Sequence, residues 1–332
     1  MGLCRKGLGL LIVVGSTFPL AAMSTDVEIE VYPKRPITLV VGFPPGDGAD
    51  IIARHLAMYM SNDLGQRVIV ENRPGAGGNI AAASVARAKA DGYTIFVAAR
   101  PIALHKTLYR EVDYDFSRDF TPVGIIVSVP YVLVMGKHVA ATTLQEAFAQ
   151  ATRNPGAMTC GSGGIGTTSH LLCEELREKA GLPWVHVPYA GNAAALLDVA
   201  GGRVDFAVVS VPAALPFIKA DTVRTMAVLG RDKVSVIPSV PGLDKFGIRN
   251  IHDQSWCAVV APTGTPTHAI ARLNRSINAA LSNAEVRKKI VGLGYVLPSG
   301  RNTAEALEVF IDEDTEKWTD ILRERQVGQT VP

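Results

Sequence analysis

Twice along this chain an apolar, β-rich run stops in a glycine-rich turn that opens directly into a helical pattern. Residues 39–56 read Leu-Val-Val-Gly-Phe-Pro-Pro-Gly-Asp-Gly-Ala-Asp-Ile-Ile-Ala-Arg-His-Leu. Further on, Met158 to Cys160 run into Gly161-Ser162-Gly163-Gly164-Ile165-Gly166-Thr167-Thr168-Ser169-His170. A strand feeding a helix through a tight loop is the unit of α/β folds, so a mostly parallel sheet with helices packed on it is expected. The same device leaves the first helical N–H groups without intrahelical partners. Beside glycines, such groups form a seat for a carboxylate or phosphate.

The surrounding pattern is a βαβαβ order. Ile37–Val41 is β-rich, and Ala49–Met60 has helical spacing through Ile52, Leu56 and Tyr59. Val68–Val70 is a strand, Ile80–Ala88 a helix of small residues and Tyr93–Ala98 a third strand. A second series begins after Pro130. It holds a helix over Thr143–Ala151 with a Thr143/Glu146 capping box, a strand over Met158–Cys160 and a helix over Thr168–Ala180 carrying Leu172 and Leu176. Strands follow at Trp184–Val187, Val204–Val209, Val223–Val228 and Ser255–Ala261. In the tail, Ile270, Leu273, Ile277 and Leu281 trace one helical face. A final helix starts at Asn302 and carries Leu307, Phe310, Ile311, Trp318 and Leu322, with Trp318 read as core. Two such series predict two similar lobes, with a cleft between them and one glycine loop on each side.

Composition removes several classes. The 332 residues are 48% hydrophobic and 19% charged, enough to bury a sizeable core. A net charge of +2, with no basic stripe and no interleaved aromatics, gives no case for nucleic acid. Arg5 and Lys6, the apolar Leu8–Leu20 and the small residues Ala21, Ala22 and Ser24 predict a cleavable export signal over residues 1–24. Cys160, Cys173 and Cys257 remain after it. Cys160 and Cys173 are the one candidate disulfide, against a reading of all three as small buried hydrophobes. None of the cysteines or seven histidines has metal-ligand spacing, and no metal or cofactor is expected.

In the first loop, Phe43 to Asp50 offer amides and a helix N-terminus. Asp50 is placed to cap the helix, while Asp47 is left to receive a ligand cation or to pair with an Arg. In the second loop, Thr167, Thr168 and Ser169 add hydroxyl donors. That loop has no Gly-Lys-Ser/Thr ending, is not Gly-x-Gly-x-x-Gly, and carries Cys160 where a nucleophile elbow needs Gly. His170 reads as a structural or ligand-bonding residue. Arg100, after the third strand, is either a bidentate partner for a carboxylate or a surface residue. Tyr189 and Ser210 end strands and are placed to line the same cleft.

These segments resemble the periplasmic solute receptors of tripartite tricarboxylate transporters, the Bug receptors. The matching pieces include Tyr-Pro-Lys-Arg-Pro-Ile (32–37), Val-Gly-Phe-Pro-Pro-Gly (41–46) and Val-Glu-Asn-Arg-Pro-Gly-Ala-Gly-Gly-Asn-Ile (70–80). Val-His-Val-Pro-Tyr-Ala-Gly (185–191), Gly-Gly-Arg-Val-Asp (201–205) and Ala-Pro-Thr-Gly-Thr-Pro (261–266) continue the pattern in order. The resemblance implies an α/β, two-lobed, type II-like periplasmic-binding-protein fold that closes on a small organic acid and delivers it to membrane transporter subunits. One carboxylate is then gripped by Phe43, Pro44, Gly46, Gly48, Ala49 and Asp50 with Gly163, Gly166, Thr167, Thr168 and His170. Such receptors usually have small residues where Asp47 and Arg100 stand, so these two are expected to tune the far part of the ligand or to pair with each other.

The lobes are expected at 32–127, 128–257 and a return over 258–332, hinged near Val127–Val132 and Ser255–Ala261. A sensing subunit uses the same cleft with a different partner. A secreted hydrolase using Ser162 or Ser169 with His170 is the competing enzyme reading, and it lacks a base–orienter arrangement.

Overall fold

The computed structural model describes residues 1–2, 32–109, 111–230, 233–249, 251 and 255–324. Apart from Met1 and Gly2, the expected leader lies outside the described residues. Among those residues no helix is long and apolar enough to cross a membrane.

Among the described residues, ten strands form two five-stranded sheets. The first has the order β2 (Val68–Asn72), β1 (Ile37–Val41), β3 (Thr94–Ala99), β10 (Ser255–Pro262) and β4 (Phe120–Val129). The second has the order β7 (Val185–Pro188), β6 (Thr159–Ser162), β8 (Phe206–Ser210), β5 (Tyr131–Gly136) and β9 (Val223–Val228). The two orders are the same plan used twice. In each, one strand runs antiparallel to both neighbours: β10 against β3 and β4, β5 against β8 and β9. Those two strands are buried along their whole length and read as unbroken apolar runs, a pattern that does not report strand direction.

The chain leaves the first sheet at Pro130, between β4 and β5, and returns between β9 and β10. Part of the return lies outside the described residues. β10 belongs to the first sheet from Ser255 onward, ahead of the expected boundary at 257/258.

Helices fill the connections. α1 (Gly48–Leu64) follows β1 and α2 (Asn79–Ala86) follows β2. The short α3 (Arg100–Ala103), α4 (His105–Leu108) and α5 (Phe116–Asp119) join β3 to β4. The second lobe carries α6 (Leu144–Arg153), α7 (Thr168–Lys179), α8 (Asn192–Ala200) and α9 (Val211–Lys219). After β10 come α10 (Thr267–Ser282), α11 (Ala284–Gly292) and α12 (Ala304–Glu324).

Alternation divides the core. Leu39 and Val41 of β1 pack with Ile52, Leu56 and Met60 of α1, whereas Val40 faces Ala81, Ala82 and Val85 of α2. The capping box of α6 forms between Thr143 and Glu146 as its spacing predicts. The last helix starts at Ala304 rather than Asn302. The Asn302 side chain bridges the N–H and C=O of Ile125, and Thr303 accepts the Ala306 N–H in its place.

Candidate functional site

The first loop is held by its own carboxylates. Asp50, in the first turn of α1, accepts the Gly46 N–H at 2.9 Å, Arg54 Nε at 2.9 Å and Asn72 Nδ2 at 2.8 Å. Burial raises the Asp50 carboxyl, but the bonds from Arg54, Asn72 and Gly46 take it below its ordinary value. Asp50 therefore clamps the loop to β2 rather than facing the cleft. Asp47, the N-cap residue, reaches across to the other lobe. Its carboxylate accepts the backbone N–H of Asn192 at 2.9 Å and Asn192 Nδ2 at 3.2 and 3.3 Å. Asn192 is the first residue of α8, whose N-cap, Gly191, offers no side chain. Asp47 thus caps α8 from the opposite lobe. Burial pushes its carboxyl up, against bonds from Asn192, Gly48 and Ala49.

The second loop is braced by neutral acceptors. Ser169 Oγ accepts the Gly163 N–H at 2.7 Å, Ser162 Oγ the Gly164 N–H at 3.2 Å and His170 Nδ1 the Gly166 N–H at 3.1 Å. Thr167 caps α7 by accepting the His170 N–H. The N–H groups of Thr168 and Ser169 open α7 and meet no protein acceptor among the described residues. Because His170 Nδ1 accepts a hydrogen bond, its ring must be neutral. Burial, with His186 and Arg177 nearby, pushes the imidazole down to about 4.

The two loops converge. Phe43, Asp47, Gly48 and Ala49 face Gly163, Thr167, Thr168 and Ser169 around a central cavity of about 30 Å³, room for one or two waters. Tyr131, Ser210, Ser255 and Asn192 complete its polar wall. Ser210 Oγ and Asn192 Oδ1 are buried there without a hydrogen-bond partner among the described residues. A second chamber of about 400 Å³ shares Phe43, Gly163 and Thr167 with the first and is also lined by Pro44, Tyr109, Ile165 and Tyr189. Close approach of the lobes requires glycine at two positions. A Cβ on Gly191 (φ 109°) would lie 2.6 Å from Pro44, and one on Gly166 (φ 76°) 2.2 Å from the Tyr109 hydroxyl. That hydroxyl donates to the Ile165 carbonyl at 3.2 Å.

Several expected residues lie elsewhere. Arg100 is 1% exposed and does not pair with Asp47. Its Nε and Nη2 donate to the two oxygens of Asp314 at 2.8 and 3.1 Å, and its guanidinium lies 4.7 Å from the Trp318 ring centroid. The start of α3 turns the side chain away from the cleft toward α12. Gly46 and Asp50 support the first loop, and Gly166 and His170 the second, without lining the central cavity. The Tyr189 hydroxyl donates to Asp198 within its own lobe while the residue lines the larger chamber. Cys160, Cys173 and Cys257 are buried free thiols.

Sequence reasoning missed Asn192, Tyr131, Ser255 and Tyr109. Asn192 follows a third glycine turn, Ala190-Gly191, which signalled another helix start. Tyr131 and Ser255 reach the cavity because the crossover strands begin there.

The hydrolase constellation is not formed. Ser162 Oγ lies 2.7 Å from His186 Nε2, not against His170, and the serine is fully buried. His170, Glu174 and His186 bring donor atoms within 4.8 Å of one another. The Nδ1 lone pair of His170 is already used by Gly166, so its Nε2 keeps the proton and is a poor cation ligand.

Residues 52–327 match TctC, the Tripartite tricarboxylate transporter family receptor. Protein BugT of Bordetella pertussis is 33% identical over 317 residues, covering 95% of this chain and 97% of BugT. A solved R. palustris structure with adipate has a TM-score of 0.86 and 31% identity, over 90% of this chain and 99% of that one. MatC from Rhodopseudomonas palustris, with bound malate, has a TM-score of 0.82 and 28% identity, over 88% of this chain and 100% of that one. The fold, the paired loops and matches spanning nearly the whole of each relative lead to one assignment: this chain belongs to the tripartite tricarboxylate transporter receptor family.

Proposed function

We propose that the cleft binds the carboxylate of a small organic acid at the N-terminus of α7 and that the closed receptor delivers the acid to membrane transporter subunits. The observation that carries this reading is Ser210, a hydroxyl 1% exposed and without a partner among the described residues, at the wall of the central cavity. Leaving such a group unsatisfied is costly, so a ligand acceptor is the natural complement. The Thr168 and Ser169 N–H groups and the hydroxyls of Thr168, Tyr131 and Ser255 add donors around the same space. Phe43, Gly48 and Ala49 wall it from the first lobe, and Asp47, Asn192 and Tyr109 hold the lobes together over it. Opening and closing run through Pro130 and the β9–β10 connection. The protein acts in the periplasm after removal of the leader over residues 1–24. The acid leaves unchanged, because Ser162 and Ser169 are committed to bracing the second loop.

Titration calorimetry with short carboxylic acids and their matching amides tests the reading. Acids bind saturably and raise the Tm, amides bind weakly, and mass spectrometry recovers the acid intact. Ser210→Ala weakens binding by about 10–100-fold, the worth of one hydrogen bond to a charged group. Equal binding of amides, or turnover of the acid, contradicts it.

A further inference from the structure

We propose that the acid enters this cleft together with one proton, shared between its carboxylate and the carboxyl of Asp47, so that capture strengthens as pH falls. This rests on the carboxylate reading above and adds to it the chemistry of the same site.

The carrying observation is geometric. Asp47 is 5% exposed and lines the central cavity of about 30 Å³, the space in which the ligand carboxylate is seated. A space that holds one or two waters leaves the two carboxylates in contact or one water apart. No Lys, Arg or His lines that cavity. Arg100 is bound to Asp314, and Arg54 to Asp50. Helix ends supply only partial charge, and Asp47 already takes that of α8 by accepting the Asn192 N–H at 2.9 Å. The N-terminus of α7 remains for the ligand, equivalent to about half a positive charge. Two carboxylates this close and without a cation do not both stay ionised, whereas one proton between them turns repulsion into a hydrogen bond. The free site holds one carboxylate and the occupied site two. The proton is therefore taken up from solvent on binding: Asp47 carboxylate, ligand carboxylate and one H⁺ become a single O–H···O⁻ pair, and the proton belongs to the pair.

The other titratable groups around Asp47 do not take its place. Burial, with Asp47 beside them, pushes the Tyr131 hydroxyl of β5 up and the Cys257 thiol of β10 up to about 12. Burial, with Cys257 and Asp47, also raises Tyr295, whose hydroxyl donates to the Gly48 carbonyl. These three are neutral near pH 7. On α1, Asp50 is held below its ordinary value by its bonds from Arg54, Asn72 and Gly46. Behind the second loop, burial lowers His186 and takes His170 down to about 4. Asp47 is the carboxyl that burial moves toward neutral pH, against its bonds from Asn192, Gly48 and Ala49.

Calorimetry of hexanoate binding to the purified protein, in two buffers of different protonation enthalpy, counts the protons. Between about pH 6 and pH 9 the free acid is ionised. Over that range uptake is expected to reach close to one proton per acid bound, and affinity to fall by up to about tenfold per pH unit as pH rises. Asp47→Asn keeps an oxygen for the Asn192 N–H and cannot titrate. That variant is expected to bind hexanoate without proton uptake, its affinity holding within about twofold over the same range. The proton count on the unaltered protein keeps the test intact if Asp47→Asn does not fold. Hexanoate binding with no proton uptake and a flat pH profile overturns the inference and leaves the carboxylate reading standing, as does uptake that persists in Asp47→Asn. Hexanamide matching hexanoate at every pH, or no acid binding at all, removes the carboxylate reading and this inference with it.

Discussion

At the N-terminus of α1 the protein supplies its own carboxylates; at the N-terminus of α7 it supplies hydroxyls and an imidazole. Both helices open from a glycine loop at the end of a strand, and both loops reach the same cavity. Around the first, Asp50 ties Gly46 to Arg54 and Asn72, and Asp47 runs on to cap α8. Around the second, Ser169, Ser162 and His170 each take up one loop amide, and the first two helical N–H groups are left over. A strand–loop–helix unit can therefore be a filled anion seat or an open one. What decides it is the charge of the side chains that brace the loop, not the count of glycines.

The comparison breaks most visibly if Arg100 serves the first loop after all. Arg100→Met removes one partner of a buried pair and leaves Asp314, among the described residues, with the Trp256 indole N–H as a donor. The cost is about 3–5 kcal/mol of stability by denaturant unfolding, with acid affinity within about twofold. A large affinity loss at unchanged stability would return Arg100 to the cleft.

Acid separates the loops next. The folded His170 titrates at about 4, below its ordinary 6.5. Its neutral form is the one the fold holds, so its contribution is fully present above pH 6.5 and is lost as pH falls toward 4. The span corresponds to about 3 kcal/mol. Asp50, whose carboxyl is lowered, keeps its contribution above its ordinary value and loses it only at still lower pH. Asp47, raised by burial, acts in the opposite sense. The comparison is therefore made against His170→Gln, which keeps an acceptor for Gly166 and cannot protonate. Thermal unfolding across pH 7 to 4 falls less steeply in that variant. Identical slopes would mean that the imidazole does not brace the loop.

The smallest effect sharpens the second loop alone. Thr167→Val removes the cap of α7 and costs about 1 kcal/mol. Because the cap orients the open N–H groups, affinity drops along with stability, whereas removing Asp50's partner with Arg54→Met lowers stability with little change in affinity.

Much of this was legible in the residues. Period-2 and period-3.6 patterns place β1 and β9 at their observed bounds, and the Thr143/Glu146 spacing is enough to announce α6. The glycine loops announce themselves because tight turns and close backbone approach leave few other choices. Strand direction was not legible, since a doubly buried strand such as β10 has the same apolar run whichever way it points. Partners distant in sequence were not legible either. Asp314 lies 214 residues from Arg100 and Asn192 lies 145 from Asp47, and no local pattern links either pair. The same two acidic and basic residues were the ones read as ligand contacts. Only the packing of α12 and α8 decides that one caps a helix and the other is sequestered.

The open character of the second loop is tested most directly by backbone amide NMR of the protein titrated with hexanoate. The N–H resonances of Thr168 and Ser169 are expected to move downfield as the acid saturates the site, more than those of Gly48 and Ala49, which share their space with the Asp47 carboxylate. Saturation with Thr168 and Ser169 unmoved would contradict the account.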